Sequence, residues 1–70
     1  MRIVETTPEK AIVELTVREI QLIRGCLLEA DEAIRDDAAF SARVGASRVE
    51  SVALFDAIVL LQRSFPMDAP

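Results

Sequence analysis

The sequence predicts an α+β fold: a short N-terminal β-hairpin, then two main α-helices joined by a short helical turn, with two copies associating as a dimer. Three observations carry this expectation. Apolar, mostly β-branched residues flank a proline turn within residues 2–15. Two capping boxes, Thr16–Glu19 and Ser47–Glu50, each open an apolar run with helical spacing. Pro66 then closes the second of those runs.

The hairpin comes first. Ile3 and Val4 favour an extended backbone, and Thr7-Pro8-Glu9-Lys10 offers a turn with proline second, where its fixed φ of about −65° belongs. Ala11-Ile12-Val13-Glu14-Leu15 follows as the second strand. Alternation places Ala11, Val13 and Leu15 on one face, with Ile12 and Glu14 on the other. Two strands alone are marginal in water, so the hairpin is expected to pack on a helix or to pair with another chain.

The first helix starts at Thr16, whose hydroxyl and the Glu19 carboxylate can satisfy each other's free backbone donors. Stepping from Val17 around the helix puts Ile20, Leu22, Ile23, Cys26, Leu27, Ala30, Ala33 and Ile34 in one apolar arc, with Cys26 at its edge as a buried, inert thiol. The helix is expected to end near Arg35, before Asp36-Asp37. Phe40–Val44 reads as a short helical turn closed by Gly45, and Ser47 opens the last helix, which runs to Ser64 or Phe65. Residues 1–65 form a single domain, and 66–70 a flexible C-terminal tail.

The last helix is apolar on every side. Leu54, Ile58, Leu61 and Phe65 line one stripe, and Val52, Phe55 and Val59 another. A chain of 70 residues buries only about 60% of its surface, too little to shelter both stripes. The expected answer is a two-fold dimer with these seven residues, Val52, Leu54, Phe55, Ile58, Val59, Leu61 and Phe65, at the oligomer interface.

Composition narrows the function. Eight basic residues oppose twelve acidic ones, and there is no histidine. The net charge of −4 argues against general binding to nucleic acid or to anionic membranes. No apolar run approaches the roughly 20 residues of a membrane span or forms a secretory signal, so a cytoplasmic location is expected. Cys26 is the only cysteine, which leaves no disulfide framework, and one cysteine without histidine builds no structural zinc site. The hydroxyls of Ser41, Ser47, Ser51 and Ser64 have no imidazole to activate them. The chain is therefore expected to be no enzyme and to need neither cofactor nor metal.

Three constellations remain as candidate sites. Arg43 and Arg48 flank the helix start at Ser47, where backbone N–H groups can meet an anion or an acidic side chain of a partner. Glu29, Glu32, Asp36 and Asp37 form an acidic docking surface for a basic partner; on a continuous helix Glu32 and Asp36 would share a face. Finally, Phe40–Leu54 resembles the helix-turn-helix DNA-binding motif, since Arg43-Val44-Gly45-Ala46-Ser47-Arg48 is similar to the R-L-G-V-S-R turn of many bacterial repressors. That resemblance implies a dimeric DNA-binding regulator. Against it, residues 36–64 carry three arginines and four carboxylates, and Ser51 falls where the motif has an apolar residue. The expected function is thus a small protein–protein interaction module of the adaptor, assembly or inhibitor/immunity type. It acts as a homo-oligomer without catalysis, with the DNA-binding regulator as the alternative.

Overall fold

The computed structural model describes residues 1–66 and shows the α+β layout, with an N-terminal antiparallel hairpin followed by three helices. Strands β1 (Arg2–Thr6) and β2 (Ala11–Glu14) make the whole sheet. Helices α1 (Val17–Ala33), α2 (Asp37–Val44) and α3 (Arg48–Arg63) follow. Of the expected tail only Pro66 falls within the described residues.

Thr7 organises the turn. Its N–H donates to the Lys10 carbonyl at 2.8 Å, and its Oγ1 accepts the Lys10 N–H at 3.1 Å. The strands pair Arg2 with Glu14, Ile3 with Val13, Glu5 with Ile12 and Thr6 with Ala11, and Val4 is left over as a β-bulge. Opposed residues share a face in an antiparallel pair. Ile3, Ala11 and Val13 therefore lie on one side of the sheet, with Arg2, Glu5, Ile12 and Glu14 on the other. The Arg2 guanidinium pairs with the Glu14 carboxylate, its Nε donating to Oε2 at 3.0 Å.

At α1 the capping box is complete: Thr16 Oγ1 accepts the Glu19 N–H at 3.1 Å, and the Thr16 N–H donates to Glu19 Oε1 at 2.9 Å. The Met1 ammonium also binds this carboxylate, and the two donors hold the Glu19 carboxyl at about 2, well below the usual carboxylate range. The helix stops at Ala33, two residues before Arg35, because Ile34 turns extended at φ −106°, ψ 96°. Asp36 then starts a new helix by accepting the Ala39 N–H at 2.8 Å. The acidic pair that follows the first helix thus initiates the next, and the short helical turn expected over Phe40–Val44 is part of a helix eight residues long.

Gly45 closes α2 at φ 85°, the left-handed conformation that residues with a Cβ resist. Ser47 caps α3 by accepting the Glu50 N–H at 3.2 Å. The second capping box is only half formed, because the Glu50 carboxylate accepts the Ser47 hydroxyl at 3.4 Å rather than reaching back to the Ser47 N–H. Ser47→Ala is expected to cost about 1 kcal/mol, read as a shift of the urea unfolding midpoint.

Helices α1 and α3 pack side by side and run antiparallel, so the start of α3 meets the end of α1. The inner stripe of α1 is Ile20, Ile23, Leu27, Ala30 and Ile34; that of α3 is Ser51, Phe55, Ile58, Val59 and Phe65. The small side chain of Ser51 is buried where the helices pass each other. The core is slight: among the described residues only Phe40 at 0% and Ile20 at 1% exposure are fully buried apolar side chains. The hairpin adds nothing to it, since neither strand packs on a helix. The molecule extends 43 × 33 × 15 Å with a radius of gyration of 14.2 Å, whereas a compact domain of this length has about 11 Å.

Candidate interaction surfaces

Among the described residues Arg48 makes the densest set of side-chain hydrogen bonds. Its Nε donates to Asp37 Oδ1 at 2.8 Å, and its Nη1 to Asp31 Oδ1 at 2.6 Å and to the Asp31 carbonyl at 3.0 Å. Its Nη2 donates to the Ile34 carbonyl at 2.5 Å and the Arg35 carbonyl at 3.4 Å. The guanidinium also lies over the Phe40 ring, with Cζ 4.5 Å from the centroid. Hydrogen bonds to Asp37 and then Asp31 raise its pKa above the ordinary arginine value. One side chain at the start of α3 thus satisfies carbonyls that α1 leaves open at its C-terminus, and fixes α2 by its first residue and its aromatic.

This occupancy decides what the three constellations can do. Of the expected anion contacts, Arg48 is engaged by carboxylates of its own chain and Ser47 is engaged as a helix cap. Arg43 alone remains at the protein surface, at the edge of an open groove formed mainly by α1. The acidic group is divided likewise: Asp37 binds Arg48, Asp36 caps α2, and Glu29 and Glu32 stand exposed on α1. Glu32 and Asp36 lie on either side of the break at Ile34 and share no helix face. Among the described residues no three His, Cys, Asp or Glu side chains gather where they could hold a metal ion. The helix–turn–helix corner is present, but the arginine at the start of its second helix points back into the fold.

The apolar surface is the larger feature. Of the seven residues expected at an oligomer interface, Phe55, Ile58, Val59 and Phe65 are half-buried within the protomer, and Val52, Leu54 and Leu61 are exposed. Leu54 (51%) and Leu61 share one side of α3 with Ala57, while Val49 (80%) and Leu60 (67%) cover its back. The structure exposes Cys26 rather than burying it. Helix α3 packs against the Ile20–Leu27 side of α1, and Cys26 sits about 120° around from Ile20. It lies instead in an open groove with Leu22, Ala30 and Ala33. A tighter groove of about 240 Å³ separates Leu27 and Leu28 from Val52 and Phe55. The hairpin exposes Ile3 (65%), Val4, Ile12 and Val13 as well.

The chain exposes 5678 Å², whereas a compact monomer of 7.7 kDa exposes about 4,300 Å², an excess on the order of 1,000 Å². A standard protein interface covers about 800 Å² on each partner. Comparison with protein-family models, with curated proteins and with solved structures finds no match. No helix among the described residues is long and apolar enough to cross a membrane.

Proposed function

We propose that the chain is a protein–protein interaction module that acts as a homo-oligomer and performs no catalysis, in keeping with a cytoplasmic adaptor, assembly factor or inhibitor. The observation that carries this reading is the amount of apolar side chain left outside a core in which, among the described residues, only Ile20 and Phe40 are fully buried apolar side chains. Exposed leucines and valines scattered singly are ordinary, but here Val49, Val52, Leu54, Leu60 and Leu61 are all exposed on one helix, around its flanks and back, and such an accumulation favours an association surface. Leu54 and Leu61 form one flank of it, and Val52 lies on the opposite flank of α3, beside the groove with Leu27. Glu29 and Glu32 on α1 remain available for a basic partner protein.

Native mass spectrometry and light scattering test this directly. The expected species at micromolar concentration is a multiple of the 7.7 kDa chain. Leu54→Asp is expected to shift that species toward the monomer while leaving the helical circular dichroism in place, because Leu54 is half exposed within the protomer. A monodisperse monomer for the unmodified protein would refute the reading.

A further inference from the structure

The geometry points to the free edge of β2 as a self-pairing edge: two copies of the chain join their hairpins antiparallel, Ile12 against Ile12, into one four-stranded sheet. This deepens the reading of the chain as self-associating and rests on it. The two strands order as β1-β2, so each has an outer edge with no neighbour among the described residues. The edges differ. β1 carries the bulge at Val4, which distorts its ladder, whereas β2 runs Ala11-Ile12-Val13-Glu14 without bulge, proline or glycine.

The backbone of β2 is already directed for such pairing. The Lys10 N–H and carbonyl both face Thr7, and lateral direction alternates along a strand, so those of Ile12 and Glu14 also face β1 while those of Ala11 and Val13 face outward. With Ile12 on the two-fold axis, Ala11 of one copy meets Val13 of the other, and both such pairs form two backbone hydrogen bonds. The same register keeps like faces together: Ile3, Ala11 and Val13 of both copies make one continuous apolar side.

Charge selects this register. It sets Lys10 directly opposite Glu14 of the second copy, twice. Lys10 is the only lysine of the chain and forms no ion pair among the described residues. Glu14 is already held by Arg2 on the adjacent strand, and a carboxylate has lone pairs enough for a second cation. Centring the pairing on Val13 instead would face Ile12 with Glu14 and Lys10 with Thr16, matching nothing.

Cysteine cross-linking reads the register. In a Cys26→Ser background, Ile12→Cys faces its own copy across a pair without hydrogen bonds, where Cα atoms lie about 4.5 Å apart and a disulfide fits. Ala11→Cys and Val13→Cys each sit two residues out of step with themselves, beyond reach. Mild oxidation with diamide is expected to link Ile12→Cys into a covalent dimer and to leave the other two unlinked. Without any cysteine change, Lys10→Glu is expected to weaken the dimer roughly tenfold by ultracentrifugation, since both cross-strand pairs become like-charged. A dimeric protein whose Ile12→Cys variant stays unlinked overturns this edge pairing and leaves self-association standing. Linking through Val13→Cys in its place overturns the register. A monomeric unmodified protein overturns both.

Discussion

Phe40→Ala is expected to remove a large part of the stability and to give the lowest urea midpoint of the single variants. Phe40 is the most completely buried side chain among the described residues, at 0% exposure, and its ring supports the guanidinium that joins all three helices. Truncating a buried phenylalanine costs about 3–5 kcal/mol. A chain of this length has a total stability of only about 3.5–10 kcal/mol at ordinary values per residue, and with Ile20 as the only other fully buried apolar residue among those described it has little to fall back on. Far-ultraviolet circular dichroism with urea titration measures the loss. Val49→Ala, at a side chain that is 80% exposed, is the matched control and should move stability by no more than about 0.5 kcal/mol. Equal effects at the two positions would mean that the helices are not held around Phe40.

Arg48 gives the second large effect. Arg48→Ala strands the carbonyls of Asp31 and Ile34 and leaves the carboxylates of Asp31 and Asp37 facing each other without a cation. Its urea midpoint is expected to fall roughly twice as far as that of Ser47→Ala, which removes a single neutral hydrogen bond. Arg48→Lys tests the geometry more sharply. An ammonium retains the charge but cannot donate through a planar fork to two helix ends while stacking on Phe40. The expected result is that lysine recovers less than half of the loss; full recovery would show that charge alone matters at this position.

Local chemistry was legible from the sequence wherever cause and effect lie within four residues. The Pro8 turn, the Thr16–Glu19 box, the Gly45 stop and the face alternation of β2 all follow from near neighbours. What was not legible has its deciding partner distant in sequence. The end of α1 depends on Arg48 taking its carbonyls from fourteen and seventeen residues away, and nothing near Ala33 announces that. The same arginine, beside a glycine and a serine, reads locally as an anion or DNA contact, although its partners are Asp31 and Asp37. Phe40 carried a usable signal as one of three aromatics in the chain, eight residues before an arginine. Ser51 offered another, because a small residue amid large apolar ones marks a place where two helices approach closely. Cys26 was misplaced because α1 has apolar residues over a wider arc than α3 alone covers.

The bulge at Val4 has a consequence for how large any assembly grows. A two-stranded ribbon with two straight edges could add copies at both margins without end, the route by which sheets extend into fibrils. Distorting one margin makes addition one-sided: once the smooth margins of two copies have met, only irregular ones face the solvent. A single surplus residue in β1 thereby acts as a terminator, stopping growth through the sheet at four strands.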